Sequence, residues 1–169
     1  MKRVKRGQIE MSFGMIFSII LIVVFLAVAF YAIKTFLRIQ DSAEVGVFTA
    51  EIQEDVERLW KSTESSQDLE YILSSDIKKV CFIDFKSGAR GDLSNLYSEL
   101  KFYDFGERNV LFYPVGSSET EGFELKKIDI AEITVNENPF CIESEGKLKL
   151  NLEKGFGEAL VSVNRIETN

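Results

Sequence analysis

One stretch near the N-terminus constrains this chain more than any other feature. Residues 11–33 are 23 consecutive positions without a charged side chain, and most of them are large and apolar. A helix of that length reaches about 35 Å, which covers a hydrocarbon core of about 30 Å with some tilt. The stretch therefore predicts a membrane-spanning helix, and the lipid bilayer is the first partner that the sequence implies.

Charge is distributed unevenly around this span. Six cations and one anion lie in the first 40 residues: Lys2, Arg3, Lys5, Arg6, Glu10, Lys34 and Arg38. Removing them from totals of 20 and 27 leaves 14 cations against 26 anions, so residues 41–169 carry a net charge of −12. The positive-inside rule then predicts a single-pass protein of the cell membrane, with a cytoplasmic N-terminus and an extracellular C-terminal domain. So acidic a domain argues against a nucleic-acid partner.

A secretory signal peptide is the alternative interpretation of the same stretch. Ala27-Val28-Ala29 has the small-x-small pattern at which such peptides are cleaved. The apolar run continues through residues 30–33 and is longer than the usual apolar region of a signal peptide, which has about 7–15 residues. Retention as an anchor is therefore the favoured prediction, and removal after Ala29 is the alternative.

The predicted helix continues beyond the span. No proline occurs before Pro114, so nothing in the sequence breaks the helix where the apolar run ends. Apolar residues then recur at spacings of three and four, which places them on one helical face. These residues are Val45, Phe48, Ile52, Val56 and Leu59. We predict one long helix over residues 8–62, with a transmembrane first half and an amphipathic second half that packs on the chain's own globular domain.

Residues 63–169 predict an extracytoplasmic domain rich in antiparallel β-strands, which makes the fold class α+β. Short apolar runs at 80–85 and 110–113 indicate strands, and 123–130 and 133–135 are weaker strand candidates. The last forty residues alternate apolar and polar positions between turns, which predicts an antiparallel meander with one buried face. Helical segments are expected at Leu69, Ile72 and Leu73, and after Asp92 as an N-cap.

The chain has two cysteines, Cys81 and Cys141, each inside an apolar strand-like run. On the outer side of the membrane they are free to pair, and closing a loop of about 60 residues stabilises a fold by about 4 kcal/mol in the chain-entropy model. The sequence favours a disulfide between them. Two buried free thiols are the alternative.

No residue pattern points to catalysis. The chain has no histidine, which removes the Ser-His and Cys-His dyads and most zinc sites. It also lacks a phosphate-binding glycine loop and the glycine-centred loop that binds calcium. We therefore predict no catalytic residue, no metal site and no cofactor, and a structural or binding role instead of an enzymatic one.

Six residues directly precede the apolar helix: Lys5-Arg6-Gly7-Gln8-Ile9-Glu10. They resemble the class III (prepilin-type) signal of archaeal type IV pilin-like proteins. The resemblance implies that a prepilin-type peptidase removes residues 1–7 as a basic cytoplasmic leader by cutting between Gly7 and Gln8. It also implies that the helix remains as a filament core and that a mostly β head domain faces outward.

In that family a glutamate usually stands at the fifth mature position, where it meets the positive N-terminus of a neighbouring subunit. Here Glu10 stands third and Ser12 fifth, and Glu10 is the assembly candidate. The expected function is that of a surface-displayed structural subunit that assembles through its N-terminal helix with copies of itself or with other pilin-like subunits. The alternative is a single-pass membrane protein, neither processed nor polymerised, whose outer domain is a monomeric binding module.

Overall fold

The structure, a computed structural model, describes residues 13–166 of the chain. A long N-terminal helix precedes strands that form two antiparallel sheets. The predicted α+β fold class is therefore confirmed. The chain divides into two compact units, an N-terminal unit of residues 1–39 and a C-terminal unit of residues 40–169.

Helix α1 spans Phe13–Trp60 and contributes residues to both units. The predicted start of the helix at Gln8 lies outside the described residues. The helix ends two residues before the predicted end, and the hydroxyl and backbone N–H of Ser62 both donate to the carbonyl of Leu59. The polar stretch after Trp60 therefore satisfies a carbonyl of the last turn instead of extending the helix.

The C-terminal unit contains a three-stranded and a four-stranded sheet. The first has the order β1-β6-β7, built from Ser65–Ile72, Lys147–Lys154 and Ser162–Arg165. The second has the order β4-β3-β2-β5, built from Gly122–Phe123, Val110–Tyr113, Lys79–Phe82 and Phe140–Glu143. Two short α-helices accompany them, α2 (Ser94–Leu100) and α3 (Ile130–Ile133), and a 3₁₀ helix spans Lys101–Tyr103.

The apolar face of α1 forms the centre of the core. Its five predicted residues, Val45, Phe48, Ile52, Val56 and Leu59, are all buried and lie in one cluster with residues of both sheets. The centroid of the Phe48 ring lies 5.3 Å from that of Tyr71 in the three-stranded sheet. It lies 6.1 and 5.9 Å from the ring centroids of Phe112 and Phe123 in the four-stranded sheet. The prediction that this face packs on the chain's own domain is confirmed.

The four-stranded sheet is covered on both faces. Val80 and Phe82 of β2 point into the cluster around α1, whereas Cys81 and Ile83 lie in a second cluster with Tyr97 of α2. Successive residues of a strand face opposite sides of the sheet. This double cover explains why the run 80–83 is continuously apolar instead of alternating.

Three details of the predicted secondary structure are wrong. Residues 69–72 belong to strand β1, because all eight residues of β1 pair with β6 and this long-range pairing outweighs the local helical spacing. Residues 130–133 form α3, whose N-cap Asp129 accepts a hydrogen bond from the backbone N–H of Glu132. Asp92 does not cap α2, which begins after Leu93 without a side-chain cap.

The predicted C-terminal meander is also wrong in one respect. Strands β6 and β7 are neighbours, but β5 pairs with β2 in the other sheet. The chain changes sheets at the turn between β5 and β6, where Gly146 has a φ of 77°. A left-handed backbone conformation of that kind favours glycine.

The position of Phe48 generates a stability prediction. We expect Phe48→Ala to lower the free energy of unfolding by about 3–5 kcal/mol, because it leaves a cavity between the two sheets. The matched control is Phe102→Ala, since the Phe102 side chain is 79% exposed; it should change stability by less than about 0.5 kcal/mol. Urea titration of the detergent-solubilised full chain, followed by the fluorescence of Trp60, measures both values. Equal effects of the two substitutions would contradict the packing described here.

Candidate functional site

The most unusual feature of the described residues is an uncovered apolar helix. Between Phe13 and Ile39 every large apolar side chain is exposed, from 39% at Leu21 to 85% at Phe13. Within residues 13–166, α1 is the one helix long and apolar enough to cross a membrane, and its most apolar stretch has no buried residue. A core helix of a soluble protein would be covered, so this segment needs lipid or other protein around it.

The polar groups of this segment are compatible with an apolar surround. The hydroxyl of Ser18 donates to the carbonyl of Gly14 at 2.8 Å, so it does not remain unpaired. The Lys34 amine lies 6.0 Å from the centroid of the Phe30 ring, near the end of the apolar run. A long lysine side chain at that place reaches the headgroup region while its methylene groups stay in the apolar layer.

The predicted processing and assembly residues are not part of the described structure. Gly7, Gln8 and Glu10, with the leader 1–7, all lie in residues 1–12, outside the described residues. The cleavage and assembly predictions therefore remain predictions.

The two cysteines lie together in a disulfide. In the register of β2 and β5, Cys81 is directly opposite Cys141, with a Cα–Cα distance of 4.0 Å. The bond joins the interior strand β2 to the edge strand β5, and both cysteines are buried beside Tyr97 and Leu100 of α2. The predicted disulfide is confirmed, and the alternative of two free thiols is excluded.

The C-terminal end of α1 is held by polar contacts from three segments. The indole N–H of Trp60 donates to the carbonyl of Ala159 at 2.9 Å, and the amine of Lys127 lies 4.3 Å from the centroid of the Trp60 ring. The amine of Lys154 donates to the carbonyls of Trp60 and Ser62. An ammonium group at this point satisfies carbonyls that the helix leaves free and complements the negative end of its dipole.

Sequence reasoning missed Lys154, although a signal for it exists. Leu148, Leu150 and Leu152 alternate along β6, so the next residue on the same face is Lys154. A lysine at an inward position needs a carbonyl or carboxylate partner. The partner was not visible in the sequence, because it lies more than 90 positions away in the chain.

A buried tyrosine and a carboxylate connect α1 to β1. The Tyr71 hydroxyl donates to the Asp55 carboxylate at 2.7 Å, and Asp55 also pairs with Arg58 at 2.6 Å. Burial first, and then the hydrogen bond to Asp55, raise the pKa of Tyr71 well above its ordinary value of about 10. The phenol therefore stays protonated as the donor of this contact.

One cleft of the C-terminal unit contains charged side chains that are already paired. This cleft, of about 500 Å³, is lined by residues that include Lys79, Cys141 and Arg165. Arg165 donates to the carbonyl of Cys141 and to Glu137, and Lys79 pairs with Glu143 at 3.7 Å. Among residues 13–166, no group of three or more acidic or cysteine side chains is placed to hold a metal ion.

No protein-family model, no curated protein and no solved structure matches the chain.

The disulfide generates a prediction about stability. Replacing both cysteines, in Cys81→Ala with Cys141→Ala, should lower the free energy of unfolding by about 4 kcal/mol, because the unfolded chain regains the freedom of a loop of about 60 residues. Chemical unfolding of the purified protein measures the difference, and Cys81→Ala alone with a free Cys141 is the control. Identical gel mobility of native material with and without reductant would contradict the bond.

Tyr71 generates a prediction about alkaline stability. Its pKa is higher in the folded state, so its contribution is complete below about pH 10 and is lost as the pH rises further, where the unfolded chain releases the proton first. Tyr71→Phe should therefore flatten the decrease in stability above about pH 10. Tyr103→Phe is the control for removing a phenol from another part of the domain. Unfolding curves at several pH values test this, and a slope unchanged by Tyr71→Phe would refute it.

Proposed function

We propose that this protein is a membrane-anchored, surface-displayed structural subunit that resembles a type IV pilin and assembles through its N-terminal helix. The observation that carries the proposal is the division of α1. Its apolar residues are uncovered from Phe13 to Ile39, whereas its second half buries one face in the C-terminal unit. A helix of this kind connects a folded domain to an apolar surround, which is what an anchored and assembling subunit requires.

Charge and disulfide support the proposed orientation. The cations before the span favour a cytoplasmic N-terminus by the positive-inside rule. The Cys81–Cys141 bond supports an outer location for the C-terminal unit, because disulfides persist in oxidising compartments and are rare in the cytosol. The net charge of −12 on residues 41–169 suits a solvated surface and gives no footprint for nucleic acid.

Processing is proposed from the residues before the span. A prepilin-type peptidase would cut between Gly7 and Gln8, which removes four cations and leaves Gln8 with a free, positively charged amine. Glu10 would then lie two residues from that amine, at the edge of the apolar stretch. A carboxylate that enters an apolar core without a partner is strongly destabilising. We propose that Glu10 is paired with the amine of a neighbouring subunit and so sets the register of assembly.

The proposed assembly exchanges lipid for protein around the same helix. Before assembly the apolar side chains of residues 13–33 contact acyl chains, and afterwards they contact neighbouring helices. Lipid is as apolar as these side chains, so close packing of the helices provides most of the free energy of association. Small residues such as Gly14, Ala27 and Ala29 permit close approach of helices.

N-terminal sequencing of protein from native membranes tests the processing step. The proposal predicts a mature chain that starts at Gln8. A start at Phe30 would identify a secretory signal peptide cleaved after Ala29. An intact Met1 end would refute processing and favour the single-pass protein with a monomeric outer binding module.

Electron microscopy of sheared cell-surface material tests assembly. We expect filaments from the wild-type chain and a loss of more than about tenfold in filament yield for Glu10→Gln, because the neutral side chain cannot pair with the neighbouring amine. Glu51→Gln is the matched control, since Glu51 is exposed on α1 in the C-terminal unit, and it should leave the yield unchanged. Immunoblots of membranes establish that both variants are present in equal amount. Equal yields from both variants would exclude the role given to Glu10.

A further inference from the structure

The four edges of the two sheets are protected to very different degrees. Strand β4 has only two residues. Strand β5 has four, and the carbonyl of Cys141 on β5 accepts two hydrogen bonds from Arg165. Just before β7, Val161 exchanges backbone hydrogen bonds with residues 127 and 129. Strand β1 is longer and lacks such protection. All eight of its residues pair with β6 on one side, and no strand pairs with its other side in residues 13–166.

The outward backbone groups of β1 can be identified from the ladder. The N–H of Leu73 donates to the carbonyl of Gly146, which continues the β1–β6 register. N–H and C=O groups alternate in direction along a strand, so the odd-numbered residues point towards β6. The even-numbered residues therefore direct their N–H and C=O groups away from the sheet. They are Ser66, Asp68, Glu70 and Ile72. Within residues 13–166 no hydrogen bond to the backbone N–H or C=O groups of these four residues is present.

The usual protections of an edge strand are missing from β1. It contains no proline, and its pairing with β6 runs without a bulge from Ser65 to Ile72. Its two acidic side chains are held over the solvent face of the sheet and not across the edge. The amide of Asn151 donates to Asp68 at 2.8 Å, and the amines of Lys147 and Lys149 lie 2.5 and 3.3 Å from Glu70. The edge is therefore open to another strand.

The charges beside this edge favour one kind of partner. Glu51, Glu64 and Asp68 are exposed, and no ion pair is present on any of them among the described residues. Glu51 lies one helical turn before Asp55, whose carboxylate accepts from Tyr71 of β1. A second copy that paired β1 with β1 would bring its own Asp68 against these acids, and like charges across a strand pair are destabilising. A cationic strand would instead bring opposite charge to Asp68.

We propose that the open edge of β1 binds an extended segment of another protein, one that carries lysine or arginine at alternate positions, as an added strand of the β1-β6-β7 sheet. Backbone hydrogen bonds to the even-numbered residues provide the binding, and the flanking carboxylates select a cationic segment. This inference is independent of whether the protein is processed or forms filaments.

N-methylated peptides test the proposal on the unmodified protein. The full chain is placed in lipid nanodiscs, and the probe is a fluorescein-labelled eight-residue peptide of alternating lysine and valine. Its N–H groups alternate in direction, so only one alternate set faces β1. Methylating that set should weaken binding at least about tenfold, and methylating the other set should change it less than about threefold. Both methylated peptides carry the same charge. Equal effects of the two sets, or no binding of the parent peptide, would overturn the proposal.

Substitutions at Asp68 give a second test. The N–H of this residue points away from β6, so Asp68→Pro removes an outward donor and leaves the β1–β6 ladder intact. It should weaken peptide binding at least about tenfold, whereas Asp68→Asn retains the N–H and should weaken it less than about threefold. Thermal unfolding of both variants establishes that the sheet is formed. Equal weakening by both would show attraction by charge alone and would overturn strand addition.

Discussion

Burial of one face of α1 between two sheets is the constraint on which the C-terminal unit depends. Each sheet presents apolar residues to this face, and the Phe48 ring touches aromatic rings from both. Without the helix, Tyr71 and Leu150 of one sheet and Val80 and Phe112 of the other would lose a common apolar neighbour. Three further contacts stabilise this packing of the helix and the sheets. They are the Cys81–Cys141 bond, the Tyr71–Asp55 hydrogen bond and the hydrogen bond that the Lys154 amine donates to α1.

The same helix has a different requirement in the N-terminal unit. Between Phe13 and Ile39 the apolar residues occur on all sides and are uncovered, so the segment requires an apolar environment. Between Val45 and Leu59 the apolar residues form one stripe, and the domain supplies the cover. An almost neutral mean hydropathy of +0.01 for the whole chain is therefore the average of parts that belong in different solvents.

Much of this organisation could be predicted from local sequence patterns. The uncharged run, the spacing of the stripe and the β character of the remaining chain all depend on periods of a few residues. The position of β1 and the separation of β5 from β6 depend on pairing between distant strands, which local spacing does not encode. The cysteine pair was predictable because the chain has two cysteines. Lys154 and Tyr71 required the fold, since their partners are distant in sequence.

Accessibility of nitroxide labels in a lipid bilayer measures whether α1 is divided between two environments. Single labels replace exposed residues at Ile20, Phe25 and Val28 in the apolar segment and at Ala50 and Glu54 in the C-terminal unit. We expect oxygen, which concentrates in lipid, to relax the first three labels strongly and a water-soluble nickel chelate to leave them unaffected. We expect the reverse for Ala50 and Glu54. Equal access of the nickel chelate to all five positions would contradict this division of α1.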